Sequence, residues 1–280
     1  MSIRTKTSIA SFESLTDALE HKPKVYFVRF GDGEVVAMMG KDHRNYRSSA
    51  GLINELKESF TIRDPDYMIG LSVNMPLEKG MSKGVFAPFS SNQHLASFIE
   101  SEGLLNSTGI YESPILFHYL SVFYPERMYQ FLERFVRPKK KMFIGCTEKK
   151  YAEMLYGNIH SYIPIPPRHA YDTIDQWWPS IENKLDSVDL VITSAGAASK
   201  VISKRLWFLE KKIHLLDIGS IIDAVEGKRS RTWIRRVGHR IQKVLPLHYR
   251  DNGITTRLFH KWKDLQYAIR LLRKKRPEMK

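Results

Sequence analysis

The sequence predicts an α/β protein with a Rossmann-like, mostly parallel sheet, a helical insertion, and a basic, amphipathic helical tail. Three observations carry this expectation. Short apolar runs alternate with helical patterns through the first 226 residues. Several of these runs are apolar throughout, as parallel strands covered on both faces are. The net charge of +14 sits entirely at the end, because residues 227–280 hold 17 Lys and Arg against 3 Asp and Glu, leaving 27 of each sign in residues 1–226.

The strands read in order as KVYFVRF (24–30), YMIGLSV (67–73), KMFIGC (141–146), SYIPI (161–165), DLVITSA (189–195) and KIHLLDIG (212–219). Helical patterns lie over 11–20, 51–60, 148–156, 173–184 and 197–210, and the insertion falls between about 75 and 138. The domain reading is an α/β body over 1–226 and a basic extension over 227–280. A chain of 280 residues, 42% hydrophobic, has ample apolar material for a core. Cys146 is the single cysteine, which excludes an internal disulfide and a cysteine-rich zinc site and suits a reducing compartment. The opening MSIRTKTSIASFESL has no signal-peptide pattern, and no later window resembles a membrane span, so a cytoplasmic protein is expected. A neutral body with a basic end reads as a domain plus an attachment device, and nucleic acid is not the expected partner.

Ligands of parallel α/β sheets bind beyond the carboxyl ends of the strands. Here those ends read RFGDGE, LSVN, IGCTEKK, PPRHAYD, TSAGAAS and DIGSIID. TSAGAAS and IGCTEKK pair small residues with a helix start, which lets backbone N–H groups approach a phosphate. Neither G-x-G-x-x-G nor G-x-x-x-x-G-K-[ST] occurs. In RFGDGE, Asp32 and Glu34 flank a glycine, and in an extended or turn conformation both carboxylates point the same way. Such hard oxygen donors suit Mg²⁺ or Mn²⁺, with substrate phosphates completing the shell, and Arg29 could pair with a diphosphate. The competing reading makes Asp32 a helix cap, Gly31 and Gly33 turn residues, and Glu34 a partner of the helix dipole. In PPRHAYD, Arg168 is a phosphate candidate and Tyr171 a stacking platform, against an ordinary loop. Cys146 is expected as a small buried hydrophobe, and Trp177 and Trp178 as packing residues or the lining of an acceptor groove.

On VRFGDGE and on DLVITSAGAASKVISKRLWFLEKKIHLLDIGSIIDA, over residues 24–226, the sequence resembles the GT-D fold glycosyltransferases of bacteria. That resemblance implies a metal-dependent hexosyltransferase of glycan or polysaccharide assembly. It would move a sugar from a nucleotide-diphosphate donor, UDP-linked, to a glycan, glycoprotein or lipid-linked acceptor. It implies Asp32 and Glu34 on Mn²⁺ or Mg²⁺, with Arg29, Phe30, Gly31 and Gly33 around the diphosphate. Thr193, Ala195, Gly196 and Arg168 complete the implied nucleotide-sugar site. For the base that takes the acceptor proton, the strand-end carboxylates nominate Asp223 first, Asp172 second and Glu112 third. The family commonly continues its Asp-Ile-Gly with a histidine and an aspartate, where this chain has Ser220 and then Asp223. Two other classes fit the same residues: another metal-dependent nucleotide transferase or phosphohydrolase using the D-x-E, and a nucleic-acid binder working through its basic tail.

RLFHKWKDLQYAIRLLRKKRP places Leu258, Trp262, Leu265, Ile269 and Leu272 at spacings of four and three among basic residues, an amphipathic cationic helix. Two readings follow. The apolar stripe docks on the domain, or the helix meets an anionic membrane surface and offers Arg270, Arg273, Lys274, Lys275 and Arg276 to lipid.

Overall fold

Every expected strand forms. The computed structural model describes residues 3–43, 46–78, 92–251 and 253–275. Its strands are β1 (Arg4–Thr5), β2 (Tyr26–Phe30), β3 (Tyr67–Leu71), β4 (Ile110–Tyr111), β5 (Lys141–Gly145), β6 (Ser161–Pro164), β7 (Leu190–Ser194) and β8 (His214–Asp217). Six of them make one sheet in the order β3-β2-β8-β7-β5-β6, with every neighbouring pair parallel. The remaining pair, β1 with β4, is a two-stranded parallel ribbon too short to leave a periodic signal in the sequence.

Alternate side chains along each strand feed two cores, one on each face of the sheet. Tyr26, Val28 and Phe30 of β2 join Met142, Ile144, Val191 and Leu215 on one face. Phe27, Phe143, Leu190, Ile192 and Leu216 pack on the other. This two-sided burial is why the strands read as continuous apolar runs.

Helices cover both faces. Ser8–His21 begins at Thr7, whose side chain accepts the N–H of Ala10, and Ala50–Phe60 begins at Ser49, which accepts that of Leu52. Lys149–Tyr156 follows β5 and Ala197–Phe208 follows β7. The pattern over 173–184 resolves into a 3₁₀ turn, Ala170–Thr173, and the helix Ile174–Glu182. Apart from β4 and its flanking loops, the insertion is helical where described: Gln93–Ser101, Leu116–Phe123 and Pro125–Phe131, the last running into a π-helical turn at Leu132–Val136. Residues 79–91 of it lie outside the described residues.

Two expectations fail at the carboxyl end. The boundary at 226/227 falls inside the packed body, because Ile241, Val244 and Leu245 are wholly buried in the core shared by β5, β7 and β8. The last helix, Ile254–Lys275, does dock, but not by its apolar stripe. Tyr267 and Leu271 pack with Trp233 and Val237, while Asp264 accepts hydrogen bonds from His239 (3.0 Å) and Arg240 (2.8 Å). Leu258, Trp262, Leu265, Ile269 and Leu272 stay exposed. Arg276 lies outside the described residues. No helix of the described residues is long and apolar enough to cross a membrane.

Candidate active site

The sheet order sets where a ligand can sit. The connection after β5 leads outward to β6, while that after β7 leads the opposite way to β8, so neighbouring strands diverge and open a crevice at their carboxyl ends. A cleft of about 650 Å³ lies there, a size suited to a small-molecule ligand. Its wall is drawn from the end of every strand of the large sheet, including Arg29, Ser72, Cys146, Ile165, Ser194 and Asp217.

On the first side, β2 passes directly into the helix Asp32–Met38. Asp32 and Glu34 are therefore first-turn helical residues, so the expected extended or turn conformation fails, and both line the cleft. The cap is Gly31, so the reading of Asp32 as the cap also fails. Glu34 folds back so that its Oε2 accepts the Gly31 N–H at 2.9 Å, one half of a capping box. Asp32 is exposed at the cleft and, among the described residues, has no hydrogen bond or ion pair.

Arg29 is out of phase with Tyr26, Val28 and Phe30, and at the end of β2 this places its guanidinium in the cleft. Its Nε donates to the Pro114 carbonyl, and its Nη1 fills the space above Gly219, where no Cβ fits. Burial draws its pKa below the ordinary arginine value, against the opposing pull of Asp217 and Glu34. Phe30, in phase with the core, is wholly buried edge-to-face on Phe60 with ring centroids 4.9 Å apart, and does not reach the cleft. Gly33 is a packing residue: a Cβ there would lie 2.6 Å from the Tyr46 hydroxyl. That hydroxyl is buried without a hydrogen-bond partner among the described residues. Burial, with Glu34 and Asp32 nearby, raises its pKa.

On the second side, Ala195 and Gly196 line the cleft, with Gly196 at φ +56°, while Thr193 is wholly buried inside β7. Arg168 and Tyr171 line it from the loop after β6, and Arg168 is exposed with no hydrogen bond or ion pair among the described residues. Cys146 is exposed in the cleft rather than buried, and its thiol pKa is pushed up, chiefly by desolvation, so it is not an activated nucleophile. Trp177 and Trp178 pack against the core, outside the cleft.

The three base nominees separate. Asp223 lines the cleft and accepts a 2.5 Å hydrogen bond from Ser230; desolvation raises its pKa, while Ser230, Lys228 and Arg231 oppose that rise. Asp172 is exposed beside His169 and is not part of the wall. Glu112 is paired with Lys6 at 2.7 Å, its backbone bridging Gly70, and stands outside the cleft.

Several cleft residues escaped the sequence reading. Lys200, nearly buried, sits 2.7 Å from Asp217 and 3.8 Å from Glu34. His118, from the insertion, meets Ser220 at 3.2 Å and lies edge-on to Trp233. Burial, with Arg29 and Arg231 close by, holds its pKa well below 6.5. Arg231, Thr232, Trp233 and Arg235 close the wall from the segment counted as tail, and Arg231 has no hydrogen bond or ion pair among the described residues.

The donor set admits a divalent cation only in company. No group of three or more His, Cys, Asp or Glu among the described residues could hold a metal alone. Asp32 has no partner among the described residues and Glu34 Oε1, clear of its cap, has only Lys200 at 3.8 Å, so two hard carboxylates would suit Mg²⁺ or Mn²⁺ with phosphate and water completing the shell.

The family model "Glycosyltransferase GT-D fold" matches residues 27–244. Among solved structures, the chain is similar to a glycosyltransferase (DUF1792) from Streptococcus sanguinis, at 21% identity and TM-score 0.60 over 80% of this chain and 84% of that one. It is also similar to a domain of unknown function 1792 described as having a distinct glycosyltransferase fold, at 17% identity and TM-score 0.53 over 81% of each chain. No curated protein matches.

Proposed function

The chain belongs to the glycosyltransferase GT-D fold family, and on that premise we propose that it transfers a hexose from a UDP-sugar, with a divalent cation, to a glycan, glycoprotein or lipid-linked acceptor. The observation that carries this reading is a set of charges facing one cleft that have no hydrogen bond or ion pair among the described residues: the Asp32 carboxylate and the Arg168 and Arg231 guanidiniums. Leaving exposed charges unpaired around a cavity makes sense where a ligand supplies the counter-charge.

In this reading Asp32 and Glu34 hold Mn²⁺ or Mg²⁺, and Arg29, Lys200 and Arg231 surround the diphosphate. The chemistry such a cation would supply there is to offset charge on the departing nucleotide. Ala195 and Gly196 give the donor close backbone approach at the end of β7. Arg168 and Tyr171 take the nucleoside side. Asp223 is the base. A desolvated aspartate is a stronger proton acceptor than an exposed one, and Ser230 keeps it oriented.

Calorimetric titration of UDP with and without Mn²⁺, on the wild type and on Asp32→Ala/Glu34→Ala, tests the reading. Binding should strengthen with Mn²⁺ in the wild type only. UDP binding that ignores the metal, or is absent, would overturn it.

A further inference from the structure

The helix Ile254–Lys275 has two apolar faces, and the body covers only one. At about 100° per residue, Tyr267, Leu271, Asp264 and His260 share a side, and that side packs on Trp233 and Val237 or pairs with His239 and Arg240. On the outward side lie Ile254, Leu258, Trp262, Leu265, Ile269 and Leu272, which are 78%, 61%, 51%, 59%, 40% and 67% exposed. A contiguous stripe of this kind marks an interaction surface. Arg257 and Lys261 border it on one side and Arg270 on the other, all exposed. The helix has a single acid, Asp264, already ion-paired on the docked side.

We propose that this outward face seats the protein on an anionic phospholipid surface, its apolar side chains entering the acyl boundary and the flanking guanidinium and ammonium groups meeting lipid phosphates. Charge chooses the occupant. A second copy would set two strongly basic segments against each other, since residues 227–280 carry 17 Lys and Arg against 3 acids, whereas an anionic leaflet attracts each basic group. The exposed Trp262 and Phe259 are side chains suited to the headgroup boundary. The face is also one packing layer from the cleft: Tyr267, on the helix's inner side, packs with Trp233, which lines the cleft. The proposal rests on exposure and charge and stands whether or not the donor is a UDP-sugar.

The test is co-sedimentation of the full chain with vesicles of phosphatidylcholine alone and with vesicles containing phosphatidylglycerol. The expected result is about a hundredfold preference for the anionic vesicles, reversed by high salt. Trp262→Glu with Leu265→Glu should abolish binding while leaving thermal unfolding and UDP titration unchanged, because both positions face solvent. Equal partition into both vesicle types, no binding to either, or undiminished binding of the double variant would overturn the proposal. So would a concentration-dependent dimer in sedimentation that the double variant dissolves, which would assign the face to a second copy.

Discussion

Lys200 Nζ lies 2.7 Å from Asp217 and 3.8 Å from Glu34, so one ammonium ties the end of β8 to the first turn of the helix after β2. Lys200 and Asp217 are almost wholly buried. Removing one partner takes from the other, nearly buried charge its nearest counter-charge, whereas removing both does not. Lys200→Met or Asp217→Asn should each cost about 3–5 kcal/mol in urea unfolding. The double variant should recover much of that loss in stability but not in donor affinity. Additive losses in the double variant would show that the two charges are not coupled.

Gly219 has φ +66° and lies against the Arg29 guanidinium. Gly219→Ala should therefore act twice, through backbone strain of about 1–2 kcal/mol and through displacement of Arg29. Calorimetry should register weaker UDP binding than the stability loss alone explains, and Arg29→Ala should add little on top of it. Independent effects of the two substitutions would separate the glycine from the arginine.

Burial lifts the Asp223 carboxyl above its ordinary 3.8, and the Ser230 hydroxyl opposes that rise. With Asp223 as base, the acid limb of kcat/KM should sit above the ordinary aspartate range. Ser230→Ala should move it further up. A limb that stays in place in Ser230→Ala would remove Asp223 from the role.

His118, His214 and His239 are each held below the usual histidine value of 6.5, chiefly by desolvation. The unfolded chain takes up protons at these sites before the folded one does, so stability is present above the unfolded pKa and is lost as pH falls below it. The Tm should decline between about pH 7.5 and 5.5, ahead of carboxylate titration. His214→Gln, remote from the cleft, should flatten that decline. An unchanged slope in this variant would contradict the assignment.

Phe30 offers a separation of fold from site. Phe30→Ala empties a wholly buried position beside Phe60 and should cost about 3–5 kcal/mol in denaturant titration. UDP affinity of the folded fraction should stay at the wild-type value, where a nucleotide-binding side chain would lose it.

The strands of the large sheet were legible because burial on both faces leaves continuous apolar runs. The phase of β2 was equally legible in principle: Tyr26, Val28 and Phe30 alternate with Arg29, and that alternation alone assigns Phe30 to the core and Arg29 to the other side. The resemblance pulled Phe30 into the site against its own periodicity. The conformation of Asp32 and Glu34 was harder, because a helix that begins on the residue after Gly31 leaves no polar spacer to announce itself. His118 reaches Ser220 across 102 positions of sequence, a proximity that only the tertiary fold creates. Lys200 left one trace, a cation four residues after Gly196 in the otherwise small first turn of its helix. Arg231 and Arg235 belong by sequence to the basic tail, and a net charge carries no information on where in the fold a side chain lies.

The last strand to be synthesised is among the innermost. β8 alone joins β3-β2 to β7-β5-β6, so until residue 217 has left the ribosome the chain has two half-sheets with no seam between them. Pairings this distant in sequence form slowly and expose unpaired strand edges meanwhile. Arg29 and Asp32 belong to one half, Arg168 and Ser194 to the other, and Asp217 and Gly219 to the closing strand. The cleft wall is therefore complete only once β8 has paired with both halves, and a C-terminally truncated chain that lacks β8 would lack the seam that brings Arg29 and Asp32 to face Arg168 and Ser194.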